Sequence, residues 1–343
     1  MGQTNKKVVL RDRTIDAIKG FCILWVAFGH SGNDGGIVNT IIGTFYMSAF
    51  FIFSGYLFKY KTDKVKDTVF YKIKTLYPLY LLWAIIPCMT LIIQSLIAGQ
   101  PTPFNTLTLP FKIILCIDLP SIIGQLWFIV ALLTTELLWI VIDNVFKKQK
   151  TKFICLCTLA ALGLLLNYCN IQLPIFRLGT ALIMLPIFFI GVQIKRHEVI
   201  NNITAKNLRW LICGIIIYGI SVFLQIKVFG YKISIFGNNY GIYPLFYINA
   251  ILGTFIFFAF TKAASSIHNK IIKIPLNILS FYGENSTILL VTMNFLIYLA
   301  QRMLSTLPIA NISFRSFLIV VLLQIPLSKL LKSRFGRVLL CKY

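Results

Sequence analysis

Ten stretches of apolar residues divide the chain, near 14–31, 40–58, 75–98, 121–146, 153–169, 176–194, 208–228, 244–261, 278–300 and 314–331. Each approaches the roughly 20 residues that a helix needs to cross about 30 Å of hydrocarbon. With 58% hydrophobic residues, 13% charged residues and a mean hydropathy of +0.82, the composition does not describe a soluble core. The expected fold is an all-α polytopic integral membrane protein, one membrane domain over 1–343 with about ten transmembrane helices. An even number of spans puts both termini on one side of the bilayer.

The net charge of +23 would suit a nucleic-acid surface until the basic residues are placed by loop. Of the 33 lysines and arginines, 26 fall at the termini or in alternate loops, including six lysines from Lys59 to Lys74 and four from Lys147 to Lys152. Only Lys112, Arg177, Lys227, Lys232, Arg302 and Arg315 fall opposite, and Lys19 lies inside the first span. That asymmetry is the positive-inside pattern. It makes the basic loops and both termini cytoplasmic, favours contact with anionic lipid headgroups, and leaves no support for nucleic acid as a partner. The first span is expected to be retained as a signal anchor, because no small-residue cleavage site follows it. The expected location is the cell membrane, with multiple passes through the lipid bilayer.

The first span carries Asp16, Lys19 and His30. Ionisable groups at membrane depth cost roughly 2.5–3.5 kcal/mol each even on mild insertion scales, and usually face a bundle interior or a water-filled cavity. At roughly 100° per residue, Lys19 and His30 project from one face, about 16 Å apart along the axis. His30 is the leading functional candidate, against a histidine snorkelling at a helix end marked by Gly29, Gly32, Gly35 and Gly36. Lys19 can reach the cytoplasmic surface on its long stem without further role.

Further along, Phe45-Tyr-Met-Ser-Ala-Phe-Phe-Ile-Phe-Ser-Gly-Tyr-Leu-Phe58 offers Ser48, Ala49, Ser54 and Gly55 for close helix approach. The lysines before the third span, Lys72 and Lys74 among them, either hold phosphates or only set topology. The stretch from Gly99 to Ser121 is too polar to span and reads as an external loop with a short interfacial helix at Pro110 to Cys116. In Gln125-Leu-Trp-Phe-Ile-Val130, Trp127 sits at the outer interface, and Glu136 two turns deeper needs a partner. Arg177, on the external side at the entrance to the sixth span, can bind a carboxylate, a phosphate or simply water, and solvation is the expected state. The segment Phe236-Gly-Asn-Asn-Tyr-Gly-Ile-Tyr-Pro-Leu-Phe-Tyr247 is either a tight turn or a surface for sugar hydroxyls and apolar sugar faces. Glu284, Asn285, Ser286, Thr292 and Asn294 group at the ninth span, where buried polar groups usually find one another.

Eight cysteines are scattered, all but Cys116 and Cys341 inside spans, and read as small apolar residues rather than a disulfide framework. The three histidines lie apart, with His197 and His268 in cytoplasmic loops, so no metal is expected.

Lys19 through His30 matches the Arg/Lys, ten residues, His pattern of the membrane-bound acyltransferase-3 family, and Ile15 to His30 resembles its first helix throughout. Phe50-Phe-Ile-Phe-Ser-Gly-Tyr56, Leu126-Trp-Phe128, Asn238-Asn-Tyr-Gly241 and Ser280-Phe-Tyr-Gly-Glu-Asn-Ser286 follow in order, most like the fucose 4-O-acetylase branch. Two positions depart from that branch: Tyr46 and Asn294 stand where it usually carries histidines.

The resemblance implies O-acyl transfer, of acetyl from acetyl-CoA as co-substrate to a hydroxyl of a cell-surface or lipid-linked carbohydrate. His30 would be the general base, with Lys19 and Asp16 on the same helix; Asp34 or Tyr46 would orient its ring. Tyr46, Ser54, Trp127, Glu136, Asn238, Asn239, Tyr240, Asn285, Ser286 and Asn294 would bind the carbohydrate acceptor, and Lys72 and Lys74 the donor. The rival from another class is a multi-span transporter or flippase for a glycan or lipid, which interrupted helix pairs would favour; none is evident in the sequence. No oligomeric state follows from the sequence.

Overall fold

The computed structural model describes residues 12–62, 64–198, 208–230, 232–267, 269–334 and 336–341. Lys6, Lys7, Arg11, Lys206, His268 and Lys342, expected on the cytoplasmic side, lie outside the described residues. The described chain is helical, with a single isolated antiparallel bridge between Ser234 and Asn239. In order, α1 is Arg13–His30, α2 Gly36–Gly43, α3 Tyr46–Leu57, α4 Val65–Ile97, α5 Leu109–Leu115, α6 Trp127–Val145 and α7 Gln149–Tyr168. Then follow α8 Leu178–Arg196, α9 Leu208–Phe223, α10 Tyr243–Ser266, α11 Lys270–Glu284, α12 Ser286–Leu304, α13 Ile312–Lys332 and α14 Gly336–Leu339. Short 3₁₀ segments at Ser121–Leu126 and Ile175–Arg177 lead into α6 and α8.

Among the described residues, nine helices are long and apolar enough to cross a membrane. The expected first span is the 18-residue α1, which carries Arg13, Asp16 and Lys19 and so stands apart from the nine.

Three expected boundaries move. The lysine-bearing stretch before the third span is helical from Val65, so α4 runs 33 residues with Pro78 and Pro87 inside it. At 1.5 Å per residue α4 is about 50 Å long and extends well beyond the hydrocarbon. Asp67 in its first turn favours that extension by complementing the helix dipole.

The expected second span is broken at Thr44–Phe45 into α2 and α3. There the Thr44 hydroxyl bonds the Ile41 carbonyl at 2.7 Å and the Tyr218 hydroxyl at 3.0 Å, replacing helical bonds. The expected ninth span is interrupted at Asn285, whose side-chain amide donates to the Phe281 carbonyl at 2.7 Å. Interrupted helices are therefore present where none was evident from the sequence.

Two glycine-lined crossings hold the bundle together. A Cβ on Gly283 would lie 1.7 Å from the Asp16 carbonyl oxygen, and one on Gly20 would lie 1.8 Å from that of Leu279. The backbones of α1 and α11 thus touch. The pairing of α3 with α8 repeats the arrangement: a Cβ on Gly55 would meet the Phe188 oxygen at 2.0 Å and one on Gly191 the Ile52 oxygen at 1.8 Å. In lipid, where no hydrophobic drive separates helix from tail, such close backbone approach supplies the packing. All eight cysteines are unpaired, as their scatter implied.

Candidate active site

At one end of the bundle, the last turn of α1 meets the start of α3, the lead-in to α6 and the loop before α10, and encloses a cavity of about 390 Å³. His30, Tyr46, Gln125, Trp127, Asn39 and Phe236 lie in its wall. His30 is the last residue of α1, is exposed, and makes no hydrogen bond to any described residue. Of the two expected orienting groups, Tyr46 shares this cavity, whereas the Asp34 carboxylate accepts from the Gly36 amide at 2.8 Å and serves the turn into α2.

Gln125 is the contact that sequence reasoning passed over. It is 3% exposed, and its Oε1 has no partner among the described residues. A buried amide left unpaired costs roughly 1–3 kcal/mol, so this residue is retained at a cost unless something entering the cavity satisfies it. Its polar character beside an apolar run was the available signal. Asn294 stands behind the wall: its amide donates 2.9 Å to the carbonyl of Ser121, which lines the cavity.

Other expected site residues are placed elsewhere. Asp16, 6% exposed, lies at the α1–α11 crossing, and Lys19 is half-buried one turn on. Both stand at the opposite end of α1 from His30, about 16 Å or more along the axis. Glu136 has the partner its depth demands: the Lys72 ammonium donates to it at 2.9 Å and also lies 4.8 Å from the Phe58 ring centre. Lys74 is exposed beside Phe70. Ser54 is half-buried in α3 next to the Gly55 crossing, and Asn285 and Ser286 are buried at the α11–α12 interruption.

The segment expected to be a turn or a sugar surface contains a turn. Ser234 and Asn239 exchange backbone hydrogen bonds of 2.8 and 2.9 Å, and Asn239 Oδ1 accepts from the Gly241 amide. Tyr240 is 1% exposed and packs edge-on against Phe246, so it presents no face for stacking a ligand. Burial pushes its hydroxyl up to about 12. Asn238 instead lines a second cavity, of about 220 Å³, beside Arg177.

Arg177 departs from the solvated state expected of it. Its guanidinium lies 5.3 Å from the Trp127 ring and 4.9 Å from the Phe236 ring, and both terminal nitrogens donate to the Phe236 carbonyl at 3.3 Å. Phe176 and Arg177 take left-handed backbone angles, φ 50° and 56°, to turn it there.

At the other end of α3 and α6, in loops the charge pattern makes cytoplasmic, a cavity of about 380 Å³ is bounded by Lys59, Lys195 and Arg196 with Phe58, Tyr60 and Trp139. The Lys195 ammonium is anchored on the Phe58 carbonyl at 2.7 Å. Tyr60 donates to Asp143 at 2.6 Å, and Asp143 also pairs with Lys152.

A profile of the acyltransferase-3 family, an acyltransferase domain, matches residues 12–340. The chain belongs to the acyltransferase-3 family. No characterised protein and no solved structure matches it. Family membership and the run of apolar helices together make the protein a membrane acyltransferase, and the three cavities become candidate parts of an acyl-transfer enzyme.

Proposed function

We propose that the protein is an O-acyltransferase of the cell membrane that moves acetyl from acetyl-CoA to a hydroxyl of a cell-surface or lipid-linked carbohydrate, in the manner of the fucose 4-O-acetylase branch. The observation that carries this reading is the placement of His30, exposed in the wall of the 390 Å³ cavity with no competing protein partner among the described residues. A sugar hydroxyl is a weak nucleophile. Neutral His30 accepts its proton as the oxygen attacks the thioester carbonyl, a role worth about 10²- to 10⁴-fold in rate. The imidazolium forms at the C-terminal end of α1, where the helix dipole favours positive charge. The tetrahedral intermediate then expels the CoA thiolate, which takes the proton back from His30, leaving ester, thiol and a neutral base.

The Nε2 group of the buried Gln125 amide, not its unpaired Oε1, is a candidate donor in the wall for the developing oxyanion. The basic cavity at the other end suits the donor's phosphates, with Lys59, Lys195 and Arg196 around it. The two cavities are linked by α3. Tyr46 lines the first and Gly55 the second, nine residues apart, or about 14 Å of helix. An extended thioester arm can bridge that separation, so the acyl group reaches His30 while the phosphates stay at the basic end.

The interruptions at Thr44–Phe45 and Asn285 are features that a glycan transporter would share, and this is the second reading. Membranes bearing the protein, supplied with acetyl-CoA labelled in the acetyl group, separate the two. An acetyltransferase carries label to membrane glycan. A transporter translocates glycan and leaves the label on CoA.

A further inference from the structure

The 220 Å³ cavity shares a wall with the His30 cavity. Phe236 lines both, and Trp127, which lines the His30 cavity, stacks on Arg177 of the second. The lining of the second cavity is unlike that of the first: beside Arg177 it presents Asn167, Gln172, Thr180 and Asn238. Amides and a hydroxyl so grouped match the hydroxyls of a sugar ring, and the aromatic partition matches its apolar face.

Arg177 is the cation of this cavity, and most of its hydrogen-bonding capacity is unused. A guanidinium has five N–H donors. The described residues engage it only through the Phe236 carbonyl, at 3.3 Å, and no described carboxylate forms an ion pair with it. The acidic residue in the lining, Asp118, is exposed and leans toward Lys112 at 3.8 Å. Two aromatic rings fix the guanidinium plane, so a planar or tetrahedral anion finds its donors already arranged. A cation held partly out of water is unfavourable; the Asp118 carboxylate that acts on it is exposed and shared with Lys112, and an anionic ligand would add counter-charge.

We infer that this second cavity is an acceptor subsite that binds an anionic group, a carboxylate or a phosphate, on Arg177, next to the unit whose hydroxyl is presented to His30. The inference rests on the proposed carbohydrate acceptor and narrows it to an acidic glycan. The alternative is that Arg177 only ties the 234–239 turn to the start of α8.

Calorimetric titration of the full chain in detergent with three probes tests this: methyl glucuronide, glucose 1-phosphate and the uncharged methyl glucoside. At least one anionic probe should bind about tenfold or more tightly than the glucoside, the scale of a charge-assisted contact at a half-exposed site. Preference for the glucuronide alone assigns a carboxylate, for the sugar phosphate alone a phosphate, and equal binding of both a site that reads charge. Arg177→Gln should abolish the preference. Gln172→Glu, which adds a negative charge to the same wall without disturbing the Arg177 stack, should weaken the anionic probes about tenfold more than it weakens the glucoside.

Equal affinity for all three probes, no binding of either anion, or a preference that survives both substitutions would overturn the inference. These are equilibrium measurements and need no acyl transfer. Anion preference without labelled transfer would therefore sink the enzyme reading alone, and transfer without anion preference would sink the subsite alone.

Discussion

Lys72 on α4 and Glu136 on α6 form an ion pair of 2.9 Å whose side chains are only 17% and 6% exposed. Taking two charges out of water and then removing one partner is the costly operation, roughly 3–5 kcal/mol, whereas replacing both with apolar residues is often neutral. Lys72→Met and Glu136→Leu are each expected to lower the thermal midpoint in detergent, and the double variant to regain most of the loss. Additive losses would show that the pair does not act as a unit. By contrast, if the basic cavity holds the donor's phosphates as proposed, Lys195→Gln with Arg196→Gln should raise the KM for acetyl-CoA more than that for the acceptor, since the phosphates do not react.

Gln125 separates catalysis from packing. Gln125→Leu removes an amide that is buried and unsatisfied at Oε1, so thermal stability should hold or rise. If that amide stabilises the oxyanion, kcat should nonetheless fall about 10²- to 10³-fold with the donor KM unchanged. Stable protein with full kcat would remove Gln125 from the mechanism.

The helix crossings make a mechanical prediction. Gly283→Ala places a methyl 1.7 Å from the Asp16 carbonyl oxygen, so α1 and α11 must separate. Overpacking of this kind costs about 1–3 kcal/mol, and Gly219→Ala, where nothing lies within 4 Å, is the control. Thermal unfolding should distinguish the two variants, and equal midpoints would mean the crossing tolerates displacement.

Topology is tested with cysteines placed in a background free of the native eight. Thr106 and Asn239 are exposed in loops read as external, and Lys148 is exposed in a loop read as cytoplasmic. A membrane-impermeant thiol reagent added to intact cells should label the first two and spare the third. The reverse pattern would invert the orientation.

The all-helical class and the order of the apolar segments were legible in the sequence because membrane insertion acts on whole segments, through summed hydropathy and loop charge. The interruptions were not. Neither Thr44–Phe45 nor Asn285 carries a proline or the usual run of glycines; at each break a side chain shares a local backbone carbonyl, and at Thr44 the hydroxyl also meets Tyr218 across the bundle, a partner that sequence does not show. His30 was legible as an expensive group in an apolar run, and Glu136 announced a partner without naming Lys72. The stacking of Arg177 was not legible because it depends on Trp127 at the start of α6 and Phe236 in the turn before α10, which are far apart in sequence. Tyr240 was misjudged because a tyrosine beside asparagines looks the same in sequence whether its ring faces a cavity or the core.

The account depends most directly on His30. His30→Ala removes an exposed side chain from the end of α1 and little packing with it, so the variant should insert, accumulate and bind acetyl-CoA as before. Acetyl transfer from labelled acetyl-CoA to membrane glycan, measured at equal protein, is predicted to fall by at least about 10²-fold, the low end for loss of a general base. Transfer at the wild-type rate by His30→Ala would contradict the assignment of His30 as the base.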